Sequence, residues 1–332
     1  MTRQIAIDEP RSFELLAPSS IEQAMEWASH HGADAAFLAG GCDLLDQLKN
    51  QWSNPRYVIN LKSIPGLKGI NRSSGSLTIG ALTTLGEIER SAALKPAFPG
   101  LVMAASRVAT PQIRNVGTVG GNLLQDSRCS YYRGPWHCYR AGGIVCDAHH
   151  GINIEHAIFG GNRCFTVSPS HTAPMLVALD AAAKIKSPRG HYEIPVADLF
   201  LSPKEDILHM HGLLKDEILT ELRVPTPPGQ RSIFIKHALR DAWDFALASV
   251  AVAFTEQSGN ARECRIVLGG VAPVPWRSHA AEQVIEGRQL KPDTIEAAAR
   301  AVVEGAEPLR YNEYKVGLVR KLVREALTEL AR

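Results

Sequence analysis

Residues 115–122 of this chain read NVGTVGGN, a glycine-rich run that opens a window holding four of the six cysteines. The cysteines of this window are Cys129, Cys138, Cys146 and Cys164. Glycine lets the backbone approach a ligand closely because it has no Cβ. Clustered cysteines in a chain of this size are typical of metal binding or redox chemistry. We therefore interpret residues 114–164 as two adjoining cofactor sites.

The first glycine turn of the chain lies about eighty residues earlier, in the run AAFLAGGCDLL at residues 35–45, so that the run at 115–122 forms the second glycine turn. This run predicts a buried strand, a glycine turn and a helix whose first amides point towards an anion such as a pyrophosphate. Neither glycine cluster has the G-x-G-x-x-G spacing of the Rossmann fold, which is therefore disfavoured. A single Gly-Gly is more often a plain turn, but two such turns can hold one extended ligand from two sides.

Length and composition limit the class of protein. The chain has 332 residues, 45% of them hydrophobic, and a formal net charge of +2 without a block of like charge, so we expect neither nucleic acid nor a membrane as a partner. Two or three domains are expected at this length. Residues 1–10 lack the apolar run of a secretory signal, which predicts a cytoplasmic protein, or a periplasmic one if a partner subunit carries the export signal.

The remaining sequence predicts an α+β protein. We expect strands and helices to alternate through the first ~110 residues, beginning with a helix between Ser20 and Gly32 and with strands at 35–39 and 57–61. Antiparallel hairpins are expected between residues 183 and 224. The run PTPPG at residues 225–229 marks a boundary, because it can neither continue a helix nor pair as a central strand. Three strands and then helices are predicted after it, so we divide the chain into residues 1–225 and 226–332.

The cysteine spacing is Cys129-x8-Cys138-x7-Cys146-x17-Cys164. Four thiolates satisfy tetrahedral zinc or an iron-sulfur cluster, and the spacing alone does not choose between them. Neighbouring arginines, glycines and aromatic residues favour iron-sulfur, since they stabilise an anionic cluster and keep water away. Buried free cysteines remain a third interpretation. No Ser-His-Asp triad, H-E-x-x-H motif or carboxylate pair stands out, and we predict no catalytic acid or base on this chain.

Residues 39–45, 114–123, 169–170 and 234–236 together resemble the FAD-binding medium subunit of the xanthine dehydrogenase family of molybdenum hydroxylases. The resemblance extends over essentially the whole chain. The cysteine-bearing insertion, at about 126–165, is similar to the branch whose flavin subunit also carries a 4Fe-4S cluster. The β subunit of 4-hydroxybenzoyl-CoA reductase and the FAD subunit of the bacterial periplasmic aldehyde oxidoreductase represent that branch.

The resemblance implies an FAD-binding domain of the vanillyl-alcohol-oxidase (PCMH) type in two subdomains, followed by a C-terminal three-stranded sheet with helices. It implies FAD contacts at Leu38, Ala39, Gly40, Gly41, Cys42, Asp43, Leu44, Asn115, Gly117, Thr118, Gly120, Gly121, Asn122, Ser170, His171 and Lys236. The cluster ligands implied are Cys129, Cys138, Cys146 and Cys164. Two positions depart from the family: Cys42, where threonine or serine is usual, and His171, where aspartate is usual. A neutral imidazole accepts a hydrogen bond at only one nitrogen.

The function implied is electron transfer inside a multi-subunit molybdenum enzyme. The partners would be a large molybdopterin-binding subunit and a small subunit with two 2Fe-2S clusters. The resemblance also allows an assembly in which two such heterotrimers form a dimer. FAD and a 4Fe-4S cluster on this chain would relay electrons between the 2Fe-2S clusters and an external acceptor or donor. The alternatives are a self-sufficient FAD-dependent oxidase with a structural zinc site and a non-catalytic scaffold stabilised by zinc.

Overall fold

The computed structural model describes residues 11–332, which form three β-sheets with helices packed around them. The expectation drawn for residues 1–10 lies outside these residues. The first sheet is parallel, in the order β1-β3-β2, and contains β1 (Glu14–Leu16), β2 (Ala35–Leu38) and β3 (Tyr57–Asn60). Helix α1 (Ile21–His31) precedes β2, and α2 (Leu44–Lys49) follows it after the first glycine turn.

Helix α1 packs on the first sheet through its apolar face. Ser20 is its N-cap and accepts a hydrogen bond from the Gln23 N–H at 3.1 Å. Gly32 ends it with a backbone φ of +54°, a conformation that favours glycine. Ala24 and Met25 are buried in a small core with Ile59 of β3. The helix and both strands predicted in this part of the chain are confirmed.

The second sheet is antiparallel, in the order β4-β5-β8-β6-β7. Its strands are β4 (Ile70–Ser73), β5 (Ser76–Gly80), β6 (Ala182–Ser187), β7 (Gly190–Pro195) and β8 (Ile218–Pro225). The prediction that strands and helices alternate through the first ~110 residues is wrong here, because β4 and β5 form a hairpin. Its second strand, β5, pairs with β8, so that Ser76 lies opposite Pro225.

A layer of short helices joins the second sheet to the third. Its members are α3 (Leu85–Arg90), α4 (Leu94–Ala97), α5 (Pro99–Ser106), α6 (Pro111–Val116), α7 (Val119–Leu123) and α9 (Thr172–Ala178), whereas α8 (Asp147–His150) lies in the segment that carries the cysteines. Helix α3 begins with a capping box in which Thr84 and Glu87 satisfy each other's backbone N–H groups. Phe98 and Leu101 are fully buried in the largest core, which also includes residues of the second and third sheets.

The third sheet is antiparallel, in the order β12-β11-β10-β9, with β9 (Gln230–His237), β10 (Ala248–Gln257), β11 (Asn260–Gly269) and β12 (Trp276–Arg277). The three predicted strands are present, and the two-residue β12 extends the sheet. It is covered on its outer face by α10 (His279–Ile285), α11 (Pro292–Ala301) and α12 (Tyr314–Leu330). Val250 and Val252 of β10 belong to this helical core, whereas Ala251 and Ala253 face the other core. Burial on both faces explains the continuous apolar run of β10.

Residues 126–165, the cysteine loop, run between α7 and α9 with little regular structure. Residues near the start of α12 hold the second half of this loop. The Asn312 Nδ2 atom donates to the His156 and Ala157 carbonyls at 2.9 and 3.2 Å. The fully buried Lys315 donates to the Glu155 carbonyl at 2.8 Å. No helix within residues 11–332 is long and apolar enough to span a membrane.

Candidate functional site

The two glycine turns meet back to back. A Cβ on Gly40 would lie 2.3 Å from the Val116 carbonyl oxygen and 3.0 Å from the Gly117 Cα. Both atoms belong to the backbone, which cannot rotate away as a side chain can. Gly41 has a φ of +82°, a backbone conformation that residues other than glycine rarely adopt. The first turn therefore requires glycine at both positions, at Gly40 because of the contact and at Gly41 because of the backbone conformation.

The second turn is fixed against the end of β5. The Gly120 N–H donates to the Ala81 carbonyl at 2.9 Å, and a Cβ on Gly120 would lie 2.9 Å from the same oxygen. Thr118 is the N-cap of α7 and accepts a hydrogen bond from the Gly121 N–H at 3.1 Å. This cap and this close approach explain the order of glycines and threonine in the motif.

A cavity of about 1180 Å³ lies where the two turns meet. The predicted contact residues that line it are Ala39, Gly40, Gly41, Cys42, Asp43, Leu44, Gly117, Thr118, Gly120, Gly121, Asn122 and His171. The fold thus brings most of the candidate cofactor residues, from three distant parts of the sequence, together around one cavity. A large pocket lined by apolar groups and a few polar ones is typical of a cofactor site.

Four predicted contact residues do not line this cavity. Leu38 belongs to β2, and Asn115 accepts a hydrogen bond from Arg90 at 3.3 Å. Ser170 lines a neighbouring cavity of about 690 Å³. The Lys236 ammonium donates to the carbonyls of Arg107 and Asp244 at 3.0 and 2.5 Å, and burial lowers the pKa of Lys236 to about 8. The Lys236 ammonium thus binds two backbone oxygens.

Asn122 holds the second turn to the start of α9. Its side chain is buried, and the Oδ1 atom accepts hydrogen bonds from Ser170 Oγ at 2.8 Å, Thr172 Oγ1 at 2.7 Å and the Thr172 N–H at 3.3 Å. Three donors on one oxygen fix the direction in which the amide plane points. Ser170 is therefore placed behind Asn122 and supports its orientation.

The four cysteines of the loop are free thiols in an environment rich in backbone donors. Burial raises the pKa of Cys129 to about 12 and that of Cys164 to about 11, and neighbouring thiols add to both shifts. Backbone N–H groups directed at the sulfurs oppose this effect. They come from Tyr131 and Tyr132 at Cys129, and from Thr166 at Cys164. Such donors stabilise thiolates that bind a metal or a cluster.

The side chains of the loop are not arranged as ligands of a single metal ion. Within residues 11–332, no group of three or more histidine, cysteine, aspartate or glutamate side chains could hold one. The Cys129 sulfur lies 3.3 Å from the Nε2 atom of His156, whose pKa is lowered to about 4 by burial. The four predicted metal ligands lie in one loop, and the binding of a metal or cluster by them stays a prediction.

Two family models together match most of the chain. The FAD-binding domain in molybdopterin dehydrogenase matches residues 11–227, and the CO dehydrogenase flavoprotein C-terminal domain matches residues 233–330. The chain belongs to the FAD-binding subunits of the molybdopterin dehydrogenases. The predicted α+β fold, a PCMH-type FAD-binding domain followed by a domain of sheet and helices, is confirmed.

Curated relatives and solved structures of this FAD-binding subunit agree with the assignment. The FAD-binding subunit PaoB of aldehyde oxidoreductase from Escherichia coli is 33% identical over 89% of this chain and 91% of its own length. The carbon monoxide dehydrogenase medium chain of Hydrogenophaga pseudoflava is 28% identical over 96% of both chains. A solved structure of carbon monoxide dehydrogenase from that organism, lacking the Mo-pyranopterin moiety, matches with a TM-score of 0.76 over 97% of this chain and 98% of that one. Homologues are oxidoreductase subunits, as predicted.

Part of the lining of the cavity of this FAD-binding subunit was missed by the sequence analysis. It includes residues 211–215 and 217–219, and Trp243 and Phe245 of the loop between β9 and β10. Trp243 has a φ of +74°, uncommon for a bulky residue, and its N–H donates to the Ala109 carbonyl at 3.0 Å. Two aromatic residues in a short loop beside Arg240 were the available signal, but their position depends on the packing of the third sheet.

His171 is buried at the border of both cavities. Neither ring nitrogen has a hydrogen-bond partner of good geometry among residues 11–332. Burial, together with the positive charge of Lys236, lowers the pKa of His171 to about 3, and the nearby Pro169 carbonyl opposes this shift. The ring is therefore neutral at physiological pH and offers one donor and one acceptor.

We expect His171→Asn to reduce the loss of unfolding free energy that the FAD-free chain undergoes as the pH falls. A folded pKa below the unfolded value of about 6.5 means that the unfolded state binds more protons, so stability falls as the pH falls from about 6.5 towards 3. Between pH 7 and pH 5 the wild type should lose roughly 2 kcal/mol more than the variant. Urea unfolding at both pH values measures this, and equal losses in the two proteins would contradict it.

We expect Asn122→Leu to lower the free energy of unfolding of the FAD-free chain by about 3 kcal/mol, because buried donors on Ser170 and Thr172 lose their acceptor. Asn122→Asp is the matched control, since a carboxylate oxygen can accept from the same donors. Urea unfolding followed by circular dichroism distinguishes them. The explanation fails if the leucine variant is as stable as the aspartate variant.

Proposed function

We propose that this FAD-binding subunit holds FAD non-covalently in the cavity between its two glycine turns and relays electrons between the 2Fe-2S clusters of a partner chain and an external acceptor or donor. The observation that carries the proposal is the contact of the turns, in which Gly40 lies against the Val116 carbonyl beside the 1180 Å³ cavity. Bound FAD would supply the redox chemistry of its flavin ring, and the protein supplies position and electrostatics.

The residues of the cavity have separate tasks in this proposal. Backbone amides of Gly40 to Asp43 would bind the pyrophosphate, since the first N–H groups of a helix lack partners inside it. Asn122, fixed by its three donors, would orient the cofactor from the second turn. Trp243 and Phe245, which also line the cavity, would exclude water from the bound cofactor. His171 would offer a hydrogen bond without adding charge.

We propose that Cys129, Cys138, Cys146 and Cys164 bind a 4Fe-4S cluster that supplies a second electron-transfer site. The amide donors at Cys129 and Cys164 support a thiolate cluster. A cubane uses four irons, one for each cysteine, so its ligands lie farther apart than those of one ion. Cys129 follows Asn122 by seven residues, a span of at most ~25 Å, so both cofactors would lie in neighbouring parts of the chain.

We propose a large molybdopterin-binding subunit and a small subunit with two 2Fe-2S clusters as partners. The names of the relatives support this, since the carbon monoxide dehydrogenase relative is a medium chain and the aldehyde oxidoreductase relative is an FAD-binding subunit. Large apolar side chains also face solvent on the cysteine loop, among them Trp136, Ile144 and Ile152. Exposed apolar clusters are typical of contact surfaces. Affinity purification of the natively expressed chain should recover both partners.

Anaerobic purification of the chain tests the proposal. We expect a flavin spectrum with about one FAD, and about four irons per chain with a broad cluster absorption. Absence of both FAD and iron would overturn the proposal. Turnover of a small substrate with oxygen by the chain alone, together with one zinc per chain, would support the alternative of a self-sufficient oxidase.

A further inference from the structure

The first glycine turn is tied to the cysteine loop by charged groups that line the start of α2. The Asp43 carboxylate accepts three hydrogen bonds, from Arg133 Nη2 at 2.8 Å, the Asp126 N–H at 2.7 Å and Gln47 Nε2 at 3.0 Å. It also forms an ion pair with Arg128 Nη2 at 2.9 Å. Three of these four partners belong to the cysteine loop. The Asp43 carboxylate is therefore engaged within the protein, and the backbone amide of Asp43 is the group that is proposed to bind the cofactor.

Arg133 is the central residue of this contact. Its side chain is 9% exposed, and its guanidinium donates to Asp43 and, from Nη1 at 2.6 Å, to Asp46 Oδ2. The Nε atom donates to the Ser127 carbonyl at 2.6 Å. The planar fork of arginine suits two carboxylates at once, and lysine cannot reproduce it. One side chain thus binds the carboxylate of Asp43 in the first turn and that of Asp46 in α2.

The same residue is connected directly to the first cysteine. The Arg133 N–H donates to the Cys129 carbonyl at 3.0 Å, and the Cys129 N–H donates to Ser127 Oγ at 3.1 Å. The Asp126 carboxylate extends the network, because it accepts from Tyr132 Oη at 2.7 Å and from Arg140 Nη2 at 3.0 Å. A continuous set of hydrogen bonds therefore leads from the first glycine turn to the backbone around Cys129.

We propose that this network couples FAD binding at the first glycine turn to the order of the cysteine loop. The inference rests on the proposed function, because it takes the first turn as the site of the FAD pyrophosphate. A ligand that fixes residues 40–43 also fixes Asp43 and Asp46, and these carboxylates hold Arg133 in the conformation that supports Cys129. By linkage, ordering the cysteine loop must strengthen FAD binding by the same factor. Arg133 is thus a positioning residue for both sites.

The test uses the full-length chain freed of iron and FAD. Alkylation of Cys129 by iodoacetamide is followed by mass spectrometry with and without saturating FAD, and the FAD dissociation constant is measured by fluorescence. In the wild type, FAD should slow Cys129 alkylation about tenfold, a coupling within the usual range. In Arg133→Gln, FAD should bind about tenfold more weakly and change the alkylation rate less than twofold.

Arg324→Gln is the matched control, because it removes an exposed arginine that pairs with Glu296 on the outer helices. It should behave as the wild type in both measurements. Asp46→Asn, which removes one partner of Arg133 at a half-exposed position, provides a milder variant if Arg133→Gln does not fold, and it should weaken both effects.

Two outcomes would overturn the coupling. If FAD protects Cys129 equally in the wild type and in Arg133→Gln, protection is direct shielding. If FAD binds the wild type without slowing alkylation, the sites are independent. A wild-type chain that does not bind FAD at all contradicts the proposed function itself, so the two failures are distinguishable.

Discussion

Gly40→Ala should weaken FAD binding and lower the flavin content of the purified chain. The added Cβ would be 2.3 Å from the Val116 carbonyl oxygen, and both turns must move apart to accommodate it. Overpacking of this kind typically costs about 1–3 kcal/mol, and here the cost falls on the backbone that lines the cavity. We expect the FAD affinity to fall by roughly 5- to 150-fold for that penalty. Flavin content after purification and FAD titration of the stripped protein measure the change.

Gly317→Ala is the matched control for this substitution. Gly317 lies in α12, and a Cβ there would meet nothing within 4 Å. The control should keep its flavin and gain about 0.5–1 kcal/mol of stability, since alanine is favoured over glycine in helices. If Gly40→Ala purified with as much FAD as Gly317→Ala, the contact between the turns would not be required for binding.

Cys138→Ser should remove the iron while the chain retains its flavin. Cys138 is buried, and its neighbours include the other three cysteines of the loop, whose pKa values it raises. A serine hydroxyl does not replace a thiolate as a ligand of an iron-sulfur cluster. We expect iron to fall from about four atoms per chain to nearly none, with FAD remaining near one per chain. Iron analysis and absorption spectroscopy of anaerobically purified protein measure both.

Cys42→Ser controls for the chemical change, because Cys42 is an exposed cysteine outside the loop. This variant should retain its iron, and serine is a usual residue of the family near this position. Cys264→Ala, in the core of the third sheet, serves as a second control. Full iron content in Cys138→Ser would contradict the assignment of the loop as the cluster site.

Local sequence signals predicted the elements that depend on local physics. Ser20 and Gly32 delimit α1 because an N-cap hydroxyl and a positive φ act within one turn of the helix. The apolar run at 248–254 predicts β10 because both of its faces are buried. The two glycine motifs predicted two ligand turns because a missing Cβ serves a close approach of the backbone.

Pairings between distant segments were not predictable in the same way. Leu77 and Ile79 alternate as in any half-buried strand, and this pattern does not specify β8 as the partner of β5. Lys236 was predicted from its motif to contact FAD, and only the structure shows that its ammonium also binds two backbone carbonyls. Asp43 was predicted to contact the cofactor through its backbone amide, and nothing in its motif indicated that the arginines of the cysteine loop engage its carboxylate.

The sequence by itself determined that this protein has two glycine turns, a four-cysteine loop and an α+β fold of the FAD-binding subunits, because each depends on residue types and short spacings. Only the tertiary structure decided that Gly40 touches Val116 and that Arg133 joins the first turn to Cys129. These contacts join segments about seventy to ninety residues apart. They depend on how three sheets pack, and packing sums many weak contacts that no single motif encodes.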